Sequence, residues 1–266
     1  MIGMFDSGVG GLSILRHVRT ELPEHAIVYV ADQAHAPYGD RSMEWVQARS
    51  HTIAEHLIDA GAGIIVVACN TASAAALSSL RSDFPDTPFV GMEPAVKPAA
   101  ESTVRGVVGV LATRATFQGE LYASVVDRHG TGIGVVERVG AGLVELVESG
   151  ELGGETARRI VAGHLRPMMT AGVDKVVLGC THYPFLASLM REVLGLAVQL
   201  IDPAPAVAQQ TARIVSSVGL DGTGGHVSYS TSGDPDRFAE QTAALLGVDP
   251  PDVGVFSVGA PDLAQP

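Results

Sequence analysis

Cysteine and lysine are nearly missing from this 266-residue chain. The two cysteines, Cys69 and Cys180, lie far apart and form neither a disulfide framework nor the paired CxxC elements of a structural zinc ribbon. If they act, they act as thiols. The two lysines, Lys97 and Lys175, leave little room for Schiff-base chemistry, and neither sits in a glycine-rich phosphate context. Long apolar runs are missing too: none approaches the 18 or so residues of a membrane span, and MIGMFDSG carries no basic flank before an apolar stretch. A cytoplasmic protein without a membrane partner is expected. Basic residues are scarce, 17 against 29 acidic ones, and the net charge of -12 makes a nucleic-acid partner electrostatically unfavourable.

Several catalytic signatures are absent. A GxGxxG pattern begun at Gly8 meets Ser13 where its third glycine belongs, no GK[ST] follows, and no G-x-S-x-G elbow occurs. The glycines of DSGVGG instead suit close approach of backbone to a small ligand. Cys69, Cys180, His182 and Asp6 could converge on one zinc ion, but no pair among them has the usual metal spacing, so no metal is expected.

What is present is a packed α/β chain. Hydrophobic residues make up 46% and charged residues 17% of the sequence, the mean hydropathy is +0.26, and a chain of this length buries roughly three quarters of its unfolded surface. The apolar runs IGMF, AIVYV, GIIVVA, PFVGM, VVGVL, KVVLG and VQLI alternate with amphipathic stretches such as Leu12, Leu15, Val18 and Leu22, or Val46, Ile53, Leu57 and Ile58. This is the rhythm of parallel strands covered by helices on both faces.

Two halves of the chain can be laid over each other. Each offers a strand ending at a matched pair (Asp6-Ser7, Ala112-Thr113), then a cysteine at the end of an apolar strand, then an acidic residue before Pro-Ala (Glu93, Asp202). The separations are 63 residues from Asp6 to Cys69 against 67 from Thr113 to Cys180, and 24 against 22 from cysteine to acid. The pattern predicts two pseudo-symmetric three-layer α/β domains with mostly parallel sheets and the active site in the cleft between them. The first would comprise 1–95 plus 205–266 and the second 96–204, with crossings near Glu93 to Lys97 and Asp202 to Pro205. The Pro- and Gly-rich end, PPDVGVFSVGAPDLAQP, reads as a loosely held tail.

Each cysteine is expected to end a buried strand and open a helix, where ligands bind parallel sheets and where the helix-start amides pull a thiol pKa down. One buried cysteine would read as a small hydrophobe; two in matched places suggest a thiol on each side of a pocket, as inversion at a carbon acid requires. Asp6 beyond the first strand and His182 beside Cys180 suit proton management. Asn70, Thr71 and Thr181 can cap helices or hold a carboxylate.

Four blocks then carry a specific resemblance: FDSGVGG at 5–11, DQAHAPYG at 32–39, ACNTASA at 68–74 and GCTHYPFL at 179–186, with weaker matches at VELVESG and STSGDPDRF. With these the chain resembles the glutamate racemases, cofactor-independent enzymes of the aspartate/glutamate racemase superfamily. His182 favours that branch, because aspartate racemases tend to carry an acidic residue there. The resemblance implies interconversion of L- and D-glutamate for peptidoglycan, no cofactor, and a homodimer. It implies that Cys69 serves the D-glutamate face with Asp6, and that Cys180 serves the L-glutamate face with His182 and Glu148. It places Ser7, Pro37, Tyr38, Gly39, Asn70, Thr71, Thr113, Thr116 and Thr181 around the substrate. The chain departs from the family at AHA before PYG and at Gly119, neither near the proposed bases. The competing readings are an aspartate or hydantoin racemase of the same superfamily, and a non-catalytic two-lobe protein that binds anions.

Overall fold

A computed structural model describes residues 1–222, 224–257 and 259. Uninterrupted apolar runs become the central strands: β1 (Ile2–Asp6) and β3 (Ile64–Val67) are buried at every position, as strands covered on both faces must be. With β2 (Ile27–Ala31), β4 (Phe89–Gly91), β9 (Val227–Thr231) and β10 (Val253–Val255) they form a parallel six-stranded sheet in the order β10-β9-β2-β1-β3-β4. A second parallel sheet holds β5 (Val107–Ala112), β6 (Gly134–Val139), β7 (Lys175–Gly179) and β8 (Gln199–Ile201), ordered β6-β5-β7-β8. The order β2-β1-β3-β4 therefore recurs as β6-β5-β7-β8, and β9 and β10 extend the first sheet only.

The helices are α1 (Leu12–Glu21), α2 (Met43–Asp59), α3 (Asn70–Asp83), α4 (Val96–Ser102), α5 (Arg114–Gln118), α6 (Glu120–His129), α7 (Leu143–Glu148), α8 (Gly154–Thr170), α9 (Ala187–Leu194), α10 (Ala204–Val218) and α11 (Pro235–Leu246). Their apolar stripes close three cores. One face of the first sheet packs Phe5, Val30, Ile65 and Val67 against Trp45, Ile53, Leu57 and Leu80 of α2 and α3. On the second sheet, Val108, Val110 and Val177 pack against Val96, Tyr122 and Val125 of α4 and α6. The remaining faces share one continuous cluster, from Ile2, Leu15 and Val66 through Val207 to Leu143, Leu165 and Tyr183, which joins the two lobes.

Three strands escape the sequence reading, β6, β9 and β10. β6 carries Glu137 and Arg138 with no residue fully buried, β9 alternates as VSYST, and β10 is only three residues long, VGV. Strands at or beside a sheet edge carry polar faces, which removes the signature of a covered strand. The carboxyl-terminal stretch is also corrected. Its β10 pairs with β9, and Phe256 is only 3% exposed, packed against His56 and under Arg49. One buried aromatic ring and a strand ladder hold it down; its residues 258 and 260–266 lie outside the described residues.

Candidate active site

The carboxyl ends of β1, β3, β5 and β7 face one another across the cleft between the lobes. At the first, β1 ends on Asp6, which is fully buried. Its Oδ2 accepts from the amides of Gly8 at 3.1 Å and Gly11 at 3.0 Å, so the carboxylate organises the turn into α1. Its Oδ1 receives Thr181 Oγ1 of the other lobe at 3.4 Å. Burial pushes the Asp6 carboxyl up, while the charge of His182 and those two amides hold it back.

The glycines of this turn approach side chains of the facing lobe. A Cβ on Gly8 would collide with the Glu148 carboxylate, and one on Gly10 with the His182 ring and Thr181.

Cys69 caps α3: its Sγ accepts from the Ala72 amide at 3.5 Å and lies 3.9 Å from the Ser7 hydroxyl. The expected fall in its pKa does not occur. Burial pushes the thiol well above its usual range, the Asp6 carboxylate adds to the rise, and the Ala72 amide compensates only in part. Cys180 departs from expectation differently, since it opens no α-helix. The 3-10 turn Tyr183–Leu186 follows it, and α9 begins only at Ala187. Pro184 removes one amide from that turn, and the neighbour of the sulfur is a side chain: His182 Nδ1 at 3.7 Å.

His182 in turn places Nε2 at 2.7 Å from Glu148 Oε1. Burial alone would lower its pKa, but the contacts with Cys180 and Glu148 outweigh this and hold the imidazole well above its usual range. For Glu148, burial favours the neutral acid, yet the His182 bond and charge, with the Val9 amide and Gln33, keep the carboxyl below its usual range. The chain Cys180–His182–Glu148 thus holds a proton beside one sulfur, whereas Cys69 keeps its own.

Between the sulfurs lies a cavity of about 20 Å³ lined by Ser7, Pro37, Tyr38, Gly39, Cys69, Asn70, Thr71, Thr113, Cys180, Thr181 and His182, together with Val144. Asp6, Glu148 and Thr116 stand behind this wall. Thr116 Oγ1 meets Thr113 Oγ1 at 2.9 Å, which meets Thr71 Oγ1 of the other lobe at 3.0 Å. Asn70 is 3% exposed, and both its Oδ1 and its Nδ2 lack a protein partner, an arrangement that a polar ligand would satisfy. Tyr38 is anchored through its hydroxyl, which donates to Asp32 Oδ2 at 2.6 Å. Val144 went unrecognised in the sequence; its one signal is its place a helical turn before Glu148 on α7. Outside Pro37 and Val144 the cleft continues as depressions of about 260 and 130 Å³. Among the described residues, no group of three or more His, Cys, Asp or Glu side chains is arranged to hold a metal ion, and no helix is long and apolar enough to cross a membrane.

Comparison with known proteins gives the family. A sequence profile of the Asp/Glu/hydantoin racemase family matches residues 12–211. The glutamate racemase of Roseiflexus sp. is 49% identical over 242 residues, spanning 90% of this chain and 89% of the relative. Among solved structures, a glutamate racemase isoform of Bacillus anthracis superposes with a TM-score of 0.87 at 31% identity over 98% of both chains. The Escherichia coli glutamate racemase, in complex with L-glutamate and the activator UDP-MurNAc-Ala, gives a TM-score of 0.81 at 33% identity over 92% of this chain and 94% of that one. The chain belongs to the Asp/Glu/hydantoin racemase family, within its glutamate racemase branch.

Proposed function

We propose that this protein interconverts L- and D-glutamate by a two-thiol mechanism that needs no added cofactor. The observation that carries the reading is the convergence of Cys69 and Cys180, from different lobes, on one small polar cavity. In the L-to-D direction, Cys180 as thiolate takes the α-proton and the Cys69 thiol returns a proton to the opposite face; the reverse reaction exchanges the roles. Burial keeps the proton on Cys69, which suits its part as proton donor in the L-to-D direction, and the His182 imidazole lies 3.7 Å from the Cys180 sulfur.

Asp6 serves the Cys69 side, and His182 with Glu148 serves the Cys180 side. Asn70, Thr71, Thr113 and Thr181, with Ser7 and the Pro37-Tyr38-Gly39 segment, hold the substrate carboxylates and ammonium, and Thr116 supports Thr113. The two lobes of this mechanism are 1–95 with the described residues from 205 onward, and 96–204. A space of about 20 Å³ takes on the order of one water, so glutamate enters when the lobes part, and their closure excludes bulk water around the developing carbanion. On the strength of the family resemblance, the product feeds peptidoglycan and the enzyme works in the cytoplasm as a homodimer.

The test is circular dichroism of L- and D-glutamate incubated separately with metal-free protein and no pyridoxal phosphate. Decay of both signals to the same racemic endpoint is expected. Stable glutamate with decay of aspartate or a hydantoin would move the substrate within the family, and no decay of any of them would overturn the enzymatic reading.

A further inference from the structure

The Glu148 carboxylate is held mostly by groups of the opposite lobe. Gln33, in the turn after β2, donates from Nε2 to Glu148 Oε2 at 3.2 Å and to Gln241 Oε1 at 2.8 Å, while its own Oε1 accepts from Thr231 Oγ1 at 3.1 Å. The buried Thr231 hydroxyl thereby fixes which way the amide faces. From α11, Gln241 Nε2 and Arg237 Nη2 donate to the Glu148 carbonyl at 2.6 and 3.1 Å, and the Val9 amide donates to Oε1 at 2.9 Å.

We propose that Gln33, oriented by Thr231 and Gln241, is a positioning residue that aims the Glu148 carboxylate at His182 when the lobes close. The inference rests on the proposed role of His182 and Glu148 in proton transfer at Cys180. Gln33 satisfies Oε2, leaving Oε1 for His182 Nε2 and the Val9 amide, so its loss frees the carboxylate to turn. The other ionisable groups around Glu148 are His182 from the turn after β7, Asp6 of β1, Tyr29 of β2, Asp234 at the start of α11, Arg237 of α11, and Glu145 one turn back on α7. None of these replaces an N–H donor at Oε2, so removing Gln33 favours the protonated carboxyl.

The experiment is the pH profile of kcat/KM for glutamate racemisation in Gln33→Leu and Gln33→Lys, with thermal unfolding of each. Gln33→Leu is expected to lose about tenfold in kcat/KM, the worth of one hydrogen bond to a charged group, with the acid limb displaced to higher pH. Gln33→Lys, which keeps an N–H donor, is expected to return the limb to the parent position or below. Should Gln33→Leu fail to fold, Gln241→Leu on the half-buried face of α11 reads the same displacement at smaller size. A loss of activity with an unmoved acid limb, or no loss, overturns the positioning role. If the parent protein leaves glutamate unracemised, the proposed function fails; if the parent racemises glutamate and the limb stays fixed, only this inference fails.

Discussion

The Nδ1 of His182 lies 3.7 Å from the Sγ of Cys180, whereas the Sγ of Cys69 meets only the Ser7 hydroxyl and the Ala72 amide among its described hydrogen-bond partners. The two thiols are therefore chemically unequal although their strands are related by the repeated sheet order. One has an imidazole linked to a carboxylate beside it; the other has a buried carboxylate, Asp6, acting through space.

The His182–Glu148 pair gives stability a defined pH dependence. The folded-state pKa of His182 lies well above that of the free side chain because its contacts with Cys180 and Glu148 outweigh burial. Its contribution is therefore complete below the unfolded value of about 6.5 and is lost as pH rises toward the folded value. His182→Gln should cost about 2 kcal/mol near pH 6, and its deficit in Tm should narrow steadily through the alkaline range. A deficit that widens with pH would show that the imidazole is held neutral.

Asp6 raises the pKa of Cys69 second only to burial. Asp6→Asn keeps a side-chain oxygen for the Gly8 and Gly11 amides but removes the charge, so the Cys69 thiol should ionise at lower pH. Alkylation of Cys69 by iodoacetamide, followed by peptide mapping across pH, should move toward acid in the variant, while racemisation falls about a hundredfold with loss of the acid-base partner. An alkylation profile that stays in place, or moves toward alkali, would remove Asp6 from the electrostatics of Cys69.

The candidate site was more legible in the sequence than the support behind it. Asp6, Cys69, Cys180 and His182 stand in short blocks at the ends of apolar strands, where position along the chain implies position in the fold. Gln33 shares a block with Tyr38, but its partner Gln241 lies 208 residues away on α11, and no periodicity reaches that far. The covered strands announced themselves as apolar runs, and the edge strand β6, with Glu137 and Arg138, did not. The rise in the Cys69 pKa is hidden from the sequence for a related reason: helix-cap chemistry is local and readable, whereas the burial that overrides it belongs to the whole fold.

Gly10 is where the β1-to-α1 turn touches the facing lobe. An alanine methyl there would press on the His182 ring and on Thr181, so Gly10→Ala should lower kcat/KM by about tenfold or more by moving the imidazole from Cys180. Gly163→Ala, at an exposed position of α8 with open space around the added carbon, is the matched control; it should leave activity intact and raise stability by about 0.5–1 kcal/mol. Equal activity in the two variants would mean that the turn yields without disturbing His182.

Arg49 ties the carboxyl-terminal segment to the loop that carries Tyr38. It is fully buried and grips Asp32 through Nε at 2.8 Å and Nη2 at 2.7 Å; the same carboxylate receives the Tyr38 hydroxyl, while the guanidinium lies 5.3 Å over the Phe256 ring and donates to the Gly259 carbonyl at 2.9 Å. Burial raises the Asp32 pKa, but the Arg49 bonds outweigh it and keep the carboxyl below its usual range. Arg49→Met takes the guanidinium from that buried carboxylate, leaving it Tyr38 and His35, and should cost about 3–5 kcal/mol in denaturant unfolding. KM should rise as well, because Tyr38 lines the cavity. Phe256→Ala should cost about 3 kcal/mol by emptying its packed site and should raise KM less. A Phe256→Ala change within about 0.5 kcal/mol of the parent, the range of ordinary surface substitutions, would mean that the segment is not docked in solution and that Arg49 supports Tyr38 without it.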